Sequence, residues 1–222
     1  ANSNHKKLLH QCKNFHPEYA YMADIKASKK LQKNLKLENV KTQVLTNDKD
    51  LHDVIASDET EIVVAGMVGV AGLEPVLTSI VNGKRLLLAN KESYVVAGEY
   101  LNNLAQQNKA TIFPIDSEHS AIHQCLAGSL NSKNDVSRII LTGSGGPFLN
   151  RDTSLLKEIT PEEAISHPIW NMGKKISVDS STMMNKGLEL IEARWLFNIE
   201  DIEVLIHPEG IIHSMVEFKD NS

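Results

Sequence analysis

Two carboxylates stand close together in the sequence Asp116-Ser117-Glu118, directly after a segment with the composition of a strand. If the strand continues through them, side-chain alternation places Asp116 and Glu118 on the same side of the chain, about 7 Å apart. Hard cations such as Mg²⁺ and Mn²⁺ prefer oxygen ligands of this kind. We therefore interpret the pair as part of an all-oxygen metal site, although His119 follows it. The alternative is a pair of exposed acids that cap the next helix.

The segment 179–189 carries a second group of residues that could do chemistry. On a helix, Asn185, Lys186 and Glu189 share one face because they are three and four positions apart. Glu189 lies one turn deeper and would complete a three-carboxylate metal site. Hydroxyls at the helix start, among them Ser180, would suit a phosphate together with Asn185 and Lys186, since the positive end of a helix favours an anion. The alternative is a capped helix with a Lys–Glu surface pair.

Two further segments carry weaker signals. The glycine-rich turn 143–146, which contains Ser144, follows a strand and can present backbone N–H groups to a phosphate. His167 and Trp170 lie in a long polar segment, from which they could close over a ligand. A single loop histidine is more commonly just solvated, so His167 carries little weight by itself.

Asn90, Lys91 and Glu92 follow a predicted buried strand. Charged residues at such a position are costly unless they are used. Lys91 would meet an anionic substrate there, with Asn90 and Glu92 toward a cofactor. The alternative is an ordinary helix cap.

The elements that must position these residues alternate between strand and helix in the first half of the chain. Repeated units of this length predict an α/β fold with a Rossmann-like, mostly parallel sheet covered by helices on both sides. Ligands of such sheets bind beyond the carboxyl ends of the strands, which are here 65–67, 89–92 and 115–118. The β-branched run 61–65 is typical of a strand buried on both faces. The predicted strands are 19–22, 42–45, 61–65, 85–89 and 111–115, and the predicted helices are 6–15, 26–37, 51–56, 73–81 and 94–107.

The second half has a different character, and we place a domain boundary between residues 115 and 116. A strand at 138–141 leads into the glycine-rich turn and then into some thirty polar residues with at most one short helix, starting at Thr160. A loop of that length is usually functional, often a lid. A helix at 181–197 and strands at 203–206 and 211–218 complete the prediction.

Composition narrows the classes of function. A formal net charge of −5 gives no reason to expect nucleic-acid binding, and the lysines near the start are interpreted as a solvated helix face. Cys12 and Cys125 do not form a disulfide framework and are expected to be buried in packing. No run is long and apolar enough for a membrane span, so a reducing cytoplasm is the expected compartment. The absence of an initiator Met suggests a cut fragment.

Six motifs in the right order resemble the 1-deoxy-D-xylulose 5-phosphate reductoisomerase family. The resemblance covers essentially the whole chain, and the run Met-Met-Asn-Lys-Gly-Leu-Glu is its most specific part. The motifs are 88–93, 116–119, 142–148, 167–173, 179–189 and 207–215.

The resemblance implies a homodimer that uses NADPH and Mg²⁺ or Mn²⁺ in the non-mevalonate route to isoprenoid precursors. It implies an NADPH-binding Rossmann-like domain at 1–115 and an α+β catalytic domain at 116–222. The family's first strand with its glycine-rich loop, and its C-terminal helical domain, would lie outside this sequence.

The resemblance also implies roles for single residues. Asp116, Glu118 and Glu189 would hold the metal, and Lys91, Glu118, Lys186 and Glu189 would be catalytic. The phosphate end of the substrate would be held by Ser144, Ser180, Asn185 and Lys186, its hydroxyls by His167 and Ser117, and Trp170 would close a lid running from Ser144 to about Lys174.

Five residues are implied in cofactor binding: Ser3, Asn4, Asn90, Glu92 and Gly173. Ser3 stands where the family often has a basic residue, which weakens the inference that the cofactor's 2′-phosphate is recognised. Ser181 stands where the family usually has Ala.

Two other functions stay open on the sequence. A different nicotinamide-linked dehydrogenase of a phosphorylated substrate would not need three carboxylates. A non-catalytic sensor could lose Glu189 or Lys186 without penalty, and both are present. The expected location is the bacterial cytoplasm, or a plastid-type organelle if a targeting segment has been removed.

Overall fold

A computed structural model describes residues 1–127, 135–167 and 169–222, and the chain divides into two compact units, Ala1–Glu61 and Ile62–Ser222. The predicted boundary between residues 115 and 116 concerns a division inside the second unit and stays a prediction. Pro168, part of one quoted motif and of the predicted lid, lies outside the described residues.

The first unit follows the predicted strand and helix order. Strands β1 and β2 pair in parallel, and the helices pack apolar residues such as Leu31 and Leu35 against them. The lysines of α1 and α2 are exposed, as predicted for a solvated face. The elements are α1 (His5–Phe15), β1 (Tyr19–Tyr21), α2 (Ile25–Leu37), β2 (Gln43–Leu45) and α3 (Asp48–Ala56).

In the second unit, three parallel strands in the order β3-β4-β5 alternate with helices, which confirms the predicted parallel α/β arrangement. The expectation that β3 is buried on both faces is wrong. Ile62 and Val64 are 49% and 63% exposed, and only the alternate residues Val63 and Ala65 pack on the core, because the described residues cover one face of β3 and leave the other open. The elements are β3 (Ile62–Ala65), α4 (Leu73–Val81), β4 (Arg85–Leu88), α5 (Lys91–Asn108), β5 (Thr111–Pro114) and α6 (Ser117–Ala127).

A second sheet has the order β7-β6-β8, with β7 parallel and β8 antiparallel to the central strand β6. Buried apolar residues of β6, including Ile139 and Leu141, pack with residues of α6 and α9 to form its core. The elements are β6 (Val136–Gly143), α7 (Pro161–Ala164), α8 (Lys174–Ser181), α9 (Met184–Phe197), β7 (Ile202–Ile206) and β8 (Ser214–Phe218).

The predicted single helix 181–197 is wrong at its start. A separate helix, α8, ends at Ser181, and α9 begins only at Met184. Met183 between them has a φ of 61°, a left-handed conformation that interrupts a helix. The polar segment before α8 is also less irregular than predicted, since it contains a 3-10 helix at Thr153–Glu158 and α7, whose capping box at Thr160 was predicted.

Two expectations about the surface have different outcomes. Cys12 is buried as expected, but Cys125 is exposed, so the expectation of packing is wrong for it. No helix among the described residues is long and apolar enough to cross a membrane.

Helices α5 and α9 approach closely at Gly98, and this contact is testable. A Cβ atom at Gly98 would lie 2.4 Å from the Trp195 side chain. We expect Gly98→Ala to destabilise the protein by about 1 to 3 kcal/mol because the bulky indole must shift. Gly187→Ala is the matched control, since Gly187 is an exposed helical glycine whose added Cβ would meet nothing nearer than 3.8 Å; alanine there should stabilise by up to about 1 kcal/mol. Urea unfolding of both variants measures the difference, and equal shifts would contradict the packing argument.

Candidate active site

The carboxyl ends of β3, β4 and β5 meet at one edge, as the sequence predicted. Asn90 follows β4 and caps α5 by accepting a hydrogen bond from the Ser93 backbone N–H, at 3.0 Å. Its side-chain N–H group donates to the carbonyl oxygens of Met67 and of Gly69, the latter at 2.9 Å. Asn90 therefore ties the turn after β3 to the start of α5, and it sets the position of Lys91 in the first turn of that helix.

Asp116 and Glu118 meet at this edge, but not in the predicted conformation. The chain does not stay extended after β5: Ser117 and Glu118 form the first turn of α6, with Asp116 directly before it. Three carboxylate oxygens still come together, because Glu189 reaches them from α9. One oxygen each of Asp116, Glu118 and Glu189 lies within 4.8 Å of the other two.

Two lysine ammonium groups neutralise much of this negative charge. Lys91 Nζ lies 2.9 Å from Glu189 Oε1 and 3.2 Å from Asp116 Oδ2, and it donates to Asn185 Oδ1 at 2.8 Å. Lys186 Nζ contacts Glu189 Oε2 and lies 3.2 Å from Glu118 Oε1. Both lysines and Glu189 are buried, so these pairs are only weakly screened by solvent.

The surroundings of Lys91 and Asp116 favour the charged forms of these two side chains. Burial lowers the pKa of Lys91, but the charges of Glu189 and Asp116 outweigh burial, and its pKa is raised above the usual value. Burial opposes ionisation of Asp116, yet the close approach of His119 and the charge of Lys91 hold the pKa of that carboxyl well below its usual range. At neutral pH Lys91 is therefore a cation and Asp116 a carboxylate.

The donor set fits a hard divalent cation. Asp116, Glu118 and Glu189 supply only oxygen, which Mg²⁺ and Mn²⁺ prefer. Asp116 Oδ2 is buried and makes no well-formed hydrogen bond to a described residue, although Lys91 Nζ and His119 Nδ1 lie 3.2 and 3.5 Å from it. A cation could therefore use this oxygen as a ligand. The site keeps a net negative charge, since two ammonium groups face three carboxylates.

A cavity of about 370 Å³ opens beside the three carboxylates. It brings together most of the predicted substrate residues, and its volume suits a small sugar phosphate. His207 and His213 also line the cavity, but the sequence analysis assigned no role to them. Their position in the motif 207–215 could have indicated one. Its lining includes Asp116, Ser117, Glu118, Ser144, His167, Trp170, Ser180, Asn185, Lys186, Glu189, His207 and His213.

His167 is oriented by its neighbours. Its Nδ1 atom accepts hydrogen bonds from the backbone N–H groups of Ile169 and Trp170, at 3.2 and 3.0 Å. In the neutral ring the proton is therefore on Nε2, which lies 3.2 Å from Ser144 Oγ. Partial burial lowers the pKa of His167, which favours that neutral form. The Trp170 and His213 rings lie near each other, with centroids 6.3 Å apart.

The predicted helix start around Ser180 is wrong. Ser180 lies in the last turn of α8, so its hydroxyl does not stand at the positive end of that helix. Asn185 and Lys186 do lie in the first turn of α9. Gly146, with a φ of 74°, packs so closely on α8 that a Cβ would lie 2.6 Å from the Ser180 carbonyl oxygen, which holds the glycine-rich turn against this part of the cavity.

Asn90, Glu92 and Gly173, expected at the cofactor, are not among the residues that line the cavity. Asn90 is buried, Glu92 is paired with Lys175 of α8, and Gly173 is the N-cap of α8. Ser3 and Asn4 precede α1 in the first unit, where the Asn4 side chain accepts a hydrogen bond from the Lys7 backbone at 3.0 Å.

A buried pair behind the carboxylates was not predicted. His119 and Glu192 are both fully buried, with His119 Nδ1 3.2 Å from Glu192 Oε2. The only signal in the sequence was the position of Glu192 three residues after Glu189, on the same face of a helix.

Comparisons with known proteins identify the family of the chain. The family model "1-deoxy-D-xylulose 5-phosphate reductoisomerase" matches residues 1–98, and the model of that family's C-terminal domain matches residues 112–197. The 1-deoxy-D-xylulose 5-phosphate reductoisomerases of Photobacterium profundum and Clostridium tetani are 48% and 49% identical to the whole chain, which spans 58% of the length of each.

Solved structures give the same result. A crystal structure of DOX-P reductoisomerase in complex with NADPH, fosmidomycin and magnesium superposes on the whole chain with a TM-score of 0.94 at 40% identity, and 57% of that protein is covered. The reductoisomerase of Zymomonas mobilis in complex with NADPH superposes with a TM-score of 0.86, also at 40% identity, with 56% covered. The chain belongs to the 1-deoxy-D-xylulose 5-phosphate reductoisomerase family.

Proposed function

We propose that the protein containing this chain converts 1-deoxy-D-xylulose 5-phosphate to 2-C-methyl-D-erythritol 4-phosphate with NADPH and a divalent metal. The observation that carries the proposal is the cluster of Asp116, Glu118 and Glu189 around two buried lysines, at the wall of a cavity of about 370 Å³. The proposal is supported by the similar 1-deoxy-D-xylulose 5-phosphate reductoisomerases and by the solved structure of such an enzyme with NADPH and magnesium. Because the chain spans 58% of those relatives, the activity is assigned to the whole protein.

Asp116, Glu118 and Glu189 would hold Mg²⁺ or Mn²⁺. When bound, the metal supplies Lewis-acid chemistry that stabilises negative charge on substrate oxygens during the rearrangement. The chain's own contribution is to hold the three carboxylates within 4.8 Å of one another. Lys91 places a second positive charge on the same side, 3.2 Å from Asp116, where it can stabilise the reacting oxygens.

The rest of the cavity suits a phosphorylated sugar. Lys186, Asn185, Ser144 and Ser180 offer one cation and three polar groups on one side of it, a set that matches a phosphate. His167 and Ser117 can hydrogen-bond the sugar hydroxyls, as donor and acceptor.

Trp170 is 48% exposed at the rim. Closing the 144–174 segment over the substrate would bury the indole and exclude water before the aldehyde intermediate is reduced.

We further propose that Asn90, Glu92, Gly173, Ser3 and Asn4 contact NADPH. Asn90 and Glu92 lie at the carboxyl end of β4, where nucleotides bind on parallel sheets. A homodimer in the bacterial cytoplasm, with no nucleic-acid or membrane partner, completes the proposal; size-exclusion chromatography with light scattering tests the dimer.

The test is NADPH consumption by the full-length protein with 1-deoxy-D-xylulose 5-phosphate and Mn²⁺. We expect turnover that chelation with EDTA abolishes and added Mn²⁺ restores, because the single charge of the Lys91 ammonium does not replace the Lewis-acid chemistry of a divalent cation. Turnover insensitive to EDTA would favour a different nicotinamide-linked dehydrogenase. Binding of the sugar phosphate without any turnover would favour a sensor.

A further inference from the structure

A second buried cluster lies directly behind the three carboxylates. His119 projects from α6 and Glu192 from α9, and both side chains are completely inaccessible to solvent. Neither belongs to the lining of the cavity. These two residues therefore cannot contact a ligand there, and any influence on the site must pass through the residues they touch.

His119 contacts two of the carboxylate residues at once. Its Nε2 atom lies 2.9 Å from the Glu189 backbone carbonyl oxygen, and its Nδ1 atom lies 3.5 Å from Asp116 Oδ2. Nδ1 is also 3.2 Å from Glu192 Oε2. All three neighbouring atoms are oxygens. The same ring thus fixes Asp116 through its side chain and Glu189 through its backbone.

Stability of the fold alone does not explain a buried carboxylate at position 192. Both of its carboxylate oxygens are buried without a well-formed hydrogen bond to any described residue, an arrangement that costs free energy. Burial raises the pKa of Glu192 to about 7, while the charge of His119 opposes that rise. Its close contact is with His119, which itself stands between Glu192 and Asp116.

We propose that Glu192 is a positioning residue that holds His119 and, through it, keeps Asp116 and Glu189 arranged for a divalent cation. The inference rests on the metal site of the proposed function. His119 and the metal compete for the same carboxylate, Asp116. Glu192 contacts the same ring nitrogen that approaches Asp116, so it holds the ring in place while the Asp116 oxygen remains available to the metal.

A cation bound directly by Asp116, His119 and Glu192 would give a different result. Single atoms of Asp116, His119 and Glu192 lie within 4.8 Å of one another, a spacing that could also hold a cation directly. In that case the full-length protein would bind two metal ions per chain, and removing the Glu192 charge would eliminate one of them.

The test is titration of the full-length protein with Mn²⁺ by calorimetry, with and without Glu192→Gln. We expect one Mn²⁺ per chain in both and an affinity about tenfold weaker in the variant. Without metal, the variant should unfold at the same or a higher temperature than the parent, because a neutral amide is cheaper to bury than a carboxylate whose oxygens lack hydrogen-bond partners among the described residues. Glu99→Gln, which removes the same charge from an exposed position of α5, should bind Mn²⁺ like the parent.

A double-mutant cycle with His119→Gln separates positioning from packing. If Glu192 acts through His119, Glu192→Gln should weaken Mn²⁺ binding in the parent but have no further effect once His119 is replaced. Unchanged Mn²⁺ affinity in Glu192→Gln, additive effects in the cycle, or two Mn²⁺ per chain would each overturn the inference while leaving the proposed function intact. Failure of the parent to bind Mn²⁺ would overturn both.

Discussion

Glu189→Gln is expected to reduce turnover of the full-length protein by about a thousandfold or more, because it removes a ligand of the proposed metal and a partner of both lysines at once. Glu189 is 1% exposed, and its two oxygens contact Lys91 Nζ and Lys186 Nζ separately. Glutamine keeps the shape of the side chain but not its charge. We expect the metal-free variant to be destabilised by roughly 1 to 3 kcal/mol, since Asp116 and Glu118 still partner the two ammonium groups.

Thermal unfolding with and without Mn²⁺ provides a readout that does not depend on activity. Mn²⁺ at a hundred times its dissociation constant should stabilise the parent by about 2.7 kcal/mol, and the variant should lose most of this gain. Glu99→Gln is the matched control, because it removes a carboxylate from an exposed position. Full stabilisation of Glu189→Gln by Mn²⁺ would exclude Glu189 from the metal site.

The parts of the site that could be predicted from the sequence depend on local patterns. Strands β4 and β5 each end in a polar triplet, and parallel pairing brings such ends to one edge regardless of the details of packing. The shared face of Asn185, Lys186 and Glu189 also follows from helical spacing alone. These two rules do not bring Lys91 to Glu189, from which 98 residues separate it; that contact depends on how α9 packs against α5.

The missed features depend on tertiary packing. The left-handed residue Met183 interrupts a segment whose composition favours a continuous helix, and no glycine marks the break. Asp116 and Glu118 were expected in extended chain, but α6 begins immediately after Asp116. The contact of His119 with Glu192 joins α6 to α9 across 73 positions of sequence, and no periodicity within either helix indicates it.

A substitution of Lys91 should affect metal binding and catalysis in opposite directions. Its ammonium group lies 2.9 Å from Glu189 and 3.2 Å from Asp116, so it neutralises two of the proposed metal ligands. Replacing it removes a competitor of the metal as well as a catalytic cation. Without metal, Lys91→Met should be destabilised by about 3 to 5 kcal/mol, because buried carboxylates lose their partner.

The affinity for Mn²⁺ should increase in the same variant, although its metal-free stability falls. We expect Lys91→Met to bind Mn²⁺ about tenfold more tightly than the parent, since weakening the competing ion pair by about 1.4 kcal/mol suffices for that factor. Turnover should nevertheless fall by about a hundredfold or more, because a charge that stabilises the reacting oxygens is absent. Calorimetry with Mn²⁺ and NADPH consumption measure the two effects separately, with Lys33→Met, exposed in α2, as the control for loss of a lysine charge. Weaker Mn²⁺ binding in Lys91→Met would show that Lys91 supports the metal ligands instead of competing for them.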